Sequence, residues 1–569
     1  LEEILEYLFN NVLVSDMELV KSEIVKALEK AGVKNPRVEK PPENIDADLS
    51  FPCFELAKEL KKSPVEIAKD LSSKLKIKNI KEVKPLGPYV NFYIDWKKIG
   101  SSILEEILTK KEKYGSSNIK ESLIMDVYQA NPFKSFHIGH VRNAVFGECV
   151  RRLLEFTGRK TTTVTYNGDV GVHVARWLWY YNNFYKGPVP KKNFTKWAGQ
   201  IYAESSKKAE ESENYKKEID EVNRKMDKRD PKLMEEWKKF RKLCYDDFGK
   251  IAKEMEIKVD HNIPESECEE PGKNKVKELH KQGKLVDSEG AIGIDLKNYG
   301  LGFFIFLKSD GTALYSTKDL GLRQLKSKLG KFDKYLYVVG SEQDLYFQQL
   351  FKSYEILGFS HGEHKHLSHG LVTLKEGKMS SRLGNVILYE DLRDEMIEMA
   401  LKQIEEKNPD LKNKKEAATK VAFAAIKFQM LSIENHKFIK FDWDQALDIN
   451  GRSGPYLQYT FARANSILEK SKPGKSDSSL LKESMETDLL KKLAEFPEAV
   501  AKAADTYSPY ILATYLFELA QKFNTFYQSI PVLKAAEELK FARLALVKSV
   551  SIVLKTGLSL LGIQTLEEM

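Results

Sequence analysis

Cysteine is scarce in this chain. Four occur in 569 residues, at Cys53, Cys149, Cys244 and Cys268, and no two are spaced as CxxC. That pattern excludes the common structural zinc frameworks and a disulfide-stapled secreted fold, and it suits a reducing compartment. Long apolar runs are missing too. None reaches the roughly 20 residues that a membrane helix needs. The opening stretch LEEILEYLFNNVLV is acidic and amphipathic, without the basic start of a signal or transit peptide. A cytoplasmic, soluble protein is the expectation. Nor does charge of one sign dominate: 91 Lys plus Arg stand against 83 Asp plus Glu, a net +8. This balance permits a polyanionic partner without demanding one. No internal repeat is found.

What is present is a long, mixed chain that should divide into several cores. Residues 1–112 read as a small α+β unit. Ser63-Pro64-Val65-Glu66 has the form of a capping box with proline at the first helical position, and 86–95 reads as a turn and an alternating strand. A polar stretch over 111–122 reads as a linker. From Leu123 the character changes. LIMDVYQA is a buried-type strand, a helix follows from about Gly139 to Phe156 with Gly158 as its cap, and TTTVTYN is a second strand leading into a second helix. Strand, helix, strand predicts a parallel Rossmann-type sheet over 118–405, with YLYVVG (335–340) as a later strand. Residues 186–285, rich in Lys and Glu, predict a helical insertion with a solvated outer face. From 406 to 569 no strand is expected. Amphipathic helices predict an all-α bundle, one helix starting at Gly454-Pro455 and another at Ser508-Pro509.

Two segments carry chemistry. His137-Ile138-Gly139-His140 follows a strand and opens a helix. A helix N-terminus offers free N–H groups and the positive dipole end, which suit phosphate. Gly139 allows close approach, and imidazoles three residues apart share one helical face, where they can donate to phosphate oxygens. More than two hundred residues later, Gly377-Lys378-Met379-Ser380-Ser381-Arg382-Leu383-Gly384-Asn385 is a glycine-bounded basic loop whose lysine can act as a point charge on phosphates. Read alone, paired histidines also suit a metal, and a basic loop is most often plain surface.

Together, in this order and setting, the segments resemble the HIGH and KMSKS motifs of class I aminoacyl-tRNA synthetases. The resemblance implies ATP-dependent formation of an aminoacyl adenylate and transfer to the terminal ribose of a tRNA. It assigns ATP to His137, Gly139, His140, Lys378, Met379, Ser380, Ser381 and Arg382. The second lysine of the loop motif is replaced here by Ser381, followed by Arg382. In the arginine-specific family a lysine just before HIGH is thought to compensate, which gives Lys134 a phosphate role.

The stretches MDVYQANPFKSFHIGHVRNAVFGE and TYNGDVGVHVA closely resemble the arginyl-tRNA synthetase family. Matching residue by residue, the resemblance assigns arginine to Asp126 (where the family uses Glu), Asn131, Tyr315, Asp319 and Gln343. The chemistry agrees: a guanidinium is a rigid planar cation that suits a carboxylate, and Tyr315 lies four residues before Asp319, on one helical face. FDWDQALDINGRSGPYLQYTFARANSILEK resembles the family's anticodon-binding domain, with Tyr456, Tyr459 and Arg463 sharing a helical face suited to bases. Tyr89 and Asn91 match residues proposed to touch the tRNA elbow. The implied ligands are L-arginine, ATP with Mg²⁺ brought by its phosphates, and tRNA(Arg). A monomer without a resident metal is the family expectation, and the histidines of HGEHKHLSHG (361–370) have no clean zinc geometry. Three rivals remain: a class I synthetase for another amino acid, a silent tRNA-binding paralogue, and a small nucleotidylyltransferase sharing HIGH.

Overall fold

The protein is described from a computed structural model covering residues 16–42, 45–359, 361–374, 387–471, 474 and 476–569. Its centre is a parallel sheet of five strands. They are β1 (Ser122–Tyr128), β2 (Lys160–Asn167), β3 (His261–Pro264), β4 (Lys334–Gly340) and β5 (Glu363–His369), in the order β5-β4-β1-β2-β3. Five helices accompany them: α1 (Ile138–Phe156), α2 (Val172–Asn183), α3 (Glu265–Lys281), α4 (Tyr315–Leu329) and α5 (Asp344–Leu357). β1 is central and buried along nearly its whole length, as a strand covered on both faces must be. Alternate residues serve different cores. Met125 and Val127 join the large core shared with α1, while Ile124 joins a second core with α3, α4 and α5.

The expected elements at 118–183 and 334–340 form where the pattern places them. The region 186–285 contains three long helices, 194–210, 213–227 and 231–254. In Glu213–Asp227 only Ile219 and Met226 are buried, which makes its outer face solvated. The region is not wholly an insertion, however. His261–Pro264 is the edge strand β3 of the central sheet, and α3 packs against α4. A further antiparallel sheet (286–288, 291–295, 303–307) precedes α4.

Other expectations need correction. The N-terminal unit is α+β, with strands 49–52, 80–86 and 89–94 and helices that include Pro64–Lys74. The Ser63 side chain makes no capping hydrogen bond, so proline and an extended Ser63 alone begin that helix. The linker over 111–122 is docked rather than free: Tyr114 is buried and its hydroxyl donates to the Leu493 carbonyl. Past 406 the chain is helical, and helices begin at Gly454 and Pro509 as the Gly-Pro and Ser-Pro signals require. One short strand, Ile439–Phe441, does occur there. It pairs in parallel with Val372–Leu374, tying the C-terminal helical region to the segment that follows β5.

The seat of α4 depends on two glycines. A Cβ at Gly272 of α3 would lie 2.0 Å from the Thr317 carbonyl oxygen, and one at Gly321 of α4 would lie 1.9 Å from that of Cys268. The helices therefore cross backbone to backbone. Gly321→Ala should destabilise the protein by about 1–3 kcal/mol through overpacking. Gly249→Ala, which meets nothing within 4 Å in the middle of a helix, should be neutral or stabilising. Differential scanning fluorimetry of the two variants separates them; equal melting temperatures would contradict the close crossing.

Candidate active site

In an open parallel sheet, ligands bind beyond the carboxyl ends of the strands where the strand order reverses. Here the chain leaves β1 for β2 and β3, then returns to place β4 on the other side of β1. The crevice therefore lies beyond Tyr128 and Gly340, and residues from both motifs' flanks converge there.

On the β1 side, His137 caps α1. Its Nδ1 accepts from the Gly139 amide at 3.2 Å, and the Nδ1 of His140 accepts from the His137 amide at 3.2 Å. The rings stack with centroids 3.8 Å apart. Burial, then the Lys134 ammonium, pushes His137 down to about 4, and burial holds His140 well below the ordinary histidine range. Both rings are neutral at pH 7. With each Nδ1 occupied as an acceptor, the proton resides on Nε2, so each ring presents one N–H donor. Lys134 lies over the Tyr202 ring at 5.1 Å, beside Arg176 over the same ring at 4.7 Å.

His173, in the first turn of α2, was not singled out from sequence. Its Nε2 is 3.1 Å from the Gly168 carbonyl, and burial with the nearby Lys134 charge lowers it to about 4. α2 thus brings a second helix N-terminus to the crevice. The loop before it is fixed from three sides. The Gly168 amide donates to Asn131 Oδ1 at 2.9 Å, and the Asp169 carboxylate accepts from Arg241 and Ser266. The Trp237 indole donates to the Asp169 carbonyl.

The basic loop 377–385, with Lys378, Met379, Ser380, Ser381 and Arg382, lies outside the described residues. Its exit is placed: the Ile387 carbonyl accepts from the Ile138 amide at 2.9 Å, and the Tyr389 amide donates to the Phe136 carbonyl at 2.9 Å. The chain that carries the loop therefore rejoins the fold against the histidine segment.

On the α4 and β4 side, Asp319 is held by a hydrogen bond from the Tyr346 hydroxyl, and Tyr354 donates to its carbonyl at 3.0 Å. Burial dominates its carboxyl, raising it to about 7 against the pull of Tyr346 and Lys326. Glu265 lies nearby, paired with Lys318. The Tyr166 hydroxyl, which feels both Asp319 and Glu265, is buried and has no hydrogen-bond partner among the described residues. Neither Tyr166 nor Glu265 was signalled by a motif. Tyr315 is the first residue of α4 and is 69% exposed, so it forms rim and not floor. Gln343 is exposed at the end of β4. Asp126 differs from expectation. Its carboxylate is buried and ion-paired to Lys326 at 2.6 Å, so it does not lie open to a substrate.

Among the described residues no group of three or more His, Cys, Asp or Glu side chains is placed to hold a metal. The 361–370 histidines pack instead among aromatics, His364 against Tyr335 and His366 against Phe347. No described helix is long and apolar enough to cross a membrane.

Of the expected RNA contacts, Tyr456, Tyr459 and Arg463 do share a face. Arg463 donates to Asn524 and to the Tyr459 hydroxyl, and lies over the Tyr527 ring at 5.0 Å. Asn524 in turn donates to the Tyr456 hydroxyl. Tyr89 packs edge-on against the half-exposed Phe54. Asn91 is fully buried and accepts from Ser50, so it does not reach the surface.

Comparison with known proteins agrees with this geometry. Residues 103–443 match the family described as tRNA synthetases class I (R), catalytic domain. Residues 457–569 match the DALR anticodon binding domain, and 18–94 the arginyl tRNA synthetase N terminal domain. Among curated relatives, the arginine–tRNA ligase of Clostridium kluyveri is 36% identical over 541 residues, 94% of this chain and 96% of the relative. That of Clostridium botulinum is 34% identical over 538 residues, again 94% and 96%. The Thermus thermophilus arginyl-tRNA synthetase structure superposes with a TM-score of 0.82 at 29% identity, covering 96% of this chain and 99% of that one. The Plasmodium falciparum enzyme, at 19% identity and a TM-score of 0.76 over 96% and 98%, shares the fold. Three matched domains in the same order, relatives matched over nearly their full length and a crevice built at the strand switch all lead to one conclusion: the chain belongs to the arginyl-tRNA synthetase family.

Proposed function

We propose that this chain, an aminoacyl-tRNA ligase for arginine, holds its amino acid by the carboxylate of Asp319 and its ATP by the two stacked histidines at the start of α1. The observation that carries the reading is the placement of Asp319: a half-buried carboxylate held by the Tyr346 hydroxyl, with burial raising its carboxyl to about 7. A carboxylate in that state gains most from a cation that arrives already charged, and a guanidinium keeps its proton at any working pH. Tyr346 orients the carboxylate, and the Tyr166 hydroxyl, without a partner among the described residues, is placed to meet a polar ligand atom. Asn131, Tyr315 and Gln343 complete the rim.

On the ATP side, His137 and His140 each direct an Nε2–H outward from a helix N-terminus, with Gly139 leaving room for phosphate. The arginine carboxylate attacks the α-phosphorus, its new P–O bond replacing the bond to pyrophosphate. Negative charge building on the phosphoryl oxygens is met by neutral donors that need not lose a proton. Lys134, Lys378 and the 379–382 segment supply positive charge toward the pyrophosphate, and Mg²⁺ travels with the nucleotide, coordinated largely by its phosphates. The adenylate then passes its arginyl group to the terminal ribose of tRNA(Arg). Tyr89 and the Tyr456–Tyr459–Arg463 face contact that RNA, in a division of roles over 1–112, 118–405 and 406–569. Identifying the amino acid that the purified protein attaches to bulk tRNA tests the specificity; any product but arginyl-tRNA overturns it.

Protonation of Asp319 competes with binding of the cation, so affinity rises with pH through about 7. The KM for arginine should increase about tenfold from pH 8 to pH 6 while that for ATP stays nearly level. In Asp319→Asn the KM for arginine should be high and independent of pH across this range. A wild-type KM for arginine that is flat with pH removes Asp319 from the guanidinium.

On the bundle, Arg463→Gln should raise the KM for tRNA by about tenfold, the scale of one lost charge-assisted contact, and leave the KM values for arginine and ATP unmoved. An unchanged tRNA KM would mean that the arginine serves only to hold Asn524 and Tyr459.

A further inference from the structure

Sequence matching gives Asp126 to the substrate, yet the fold gives it a partner of its own. Asp126 sits on β1 directly opposite Tyr337 of β4. Lys326 lies seven residues after Asp319 on α4, two turns along the same face. Its ammonium is 2.6 Å from Asp126 Oδ1 and 4.2 Å from the centre of the Tyr337 ring. The Asp126 and Lys326 side chains are 3% and 0% exposed. The ammonium is thus enclosed between a carboxylate and an aromatic face, where the attraction is little screened.

The surrounding charges explain why such a pair is needed. Asp126 and Glu265 both act on Asp319, and so does Lys326. Glu265 is matched by Lys318. Lys326 pairs with Asp126 and Lys318 with Glu265, which leaves Asp319, among the described residues, without an ion pair of its own. Without Lys326, the buried Asp126 and its neighbour Asp319 would face each other with no ammonium between them, and like charges so placed do not both stay ionised.

We infer that Lys326 is a positioning residue for arginine recognition: it withdraws Asp126 from the substrate as a permanently neutralised pair and leaves Asp319 as the single carboxylate presented to the guanidinium. This rests on the reading of Asp319 given above.

The test is a double-mutant cycle on the full-length enzyme, with KM for arginine and ATP measured separately. A buried pair is disrupted far more by losing one member than by losing both. Asp126→Asn alone strands an ammonium beside the pocket and should raise the arginine KM about tenfold or more, with the ATP KM unchanged. Asp126→Asn combined with Lys326→Met, which is uncharged and similar in volume, should return the arginine KM to within about threefold of wild type. Lys326→Arg keeps the charge and should stay near wild type. In Lys326→Met alone, Asp319 loses its nearest positive neighbour, so the pH below which arginine binding weakens should move upward.

If the double variant binds arginine about tenfold or more weakly, Asp126 grips the substrate itself and the inference fails. Where Asp126→Asn does not fold, the double variant against wild type decides alone. Failure of the underlying reading looks different: Asp319→Asn would leave the arginine KM unchanged, whatever the cycle gives.

Discussion

The whole arrangement depends on one topological constraint, the reversal of strand order between β1 and β4. Two strands some two hundred residues apart become neighbours, and their carboxyl ends open onto one crevice. β1 delivers the histidines through α1, while β4 delivers the turn bearing Gln343 and, through the preceding α4, the carboxylate of Asp319. Neither half has the chemistry alone. The proposed adenylate chemistry needs both halves within one amino acid's length, and the parallel pairing of β1 with β4 is what makes them neighbours. The glycine crossing of α3 and α4 then fixes how deeply Asp319 sits.

Electrostatics divides the crevice along the same line. Around α1 and α2, three histidines are held neutral by burial and by Lys134, so this half is rich in donors and in positive potential. Around α4, carboxylates outnumber ammonium groups and burial raises Asp319. On the proposed reading, the first half suits the phosphates of a nucleotide and the second the side chain of arginine. That division would leave the arginine carboxylate facing the phosphate side. Burial serves both halves by opposite means: it strips charge from the imidazoles and makes an unpaired carboxylate seek a cation.

Much of this was legible because the decisive signals are local. His137 to His140, the strand before them and the cap geometry occupy one contiguous stretch, and the Tyr315–Asp319 segment another. What stayed hidden depends on tertiary proximity. His173, Tyr166 and Glu265 belong to three separate elements, and only the sheet brings them together. Lys326 reads as one more lysine on a basic helix until α4 is laid across β1. β3 escaped notice because HNIP is four residues long, ends in proline and lies at an edge, giving no periodicity to detect. Asn91 misled for a related reason: alternation puts it on the face of Tyr89, but the neighbouring strand carrying Ser50 covers it. Asp126 was matched by position, and position does not reveal that a partner is already in place.

The same rigid element that carries the histidines also reaches the RNA-binding bundle. α1 has 19 residues, about 28 Å at the usual helical rise. His137 lies at one end. Near the other, Arg152 donates to the carbonyl of Ser559 in the last helix of the bundle and to the carbonyl of Glu256. Glu256 accepts from Gln564 and lies near the buried Lys427, which donates to Gly562. α1 is therefore one continuous element between the histidine segment and the C-terminal helix, and its length sets the spacing of the two.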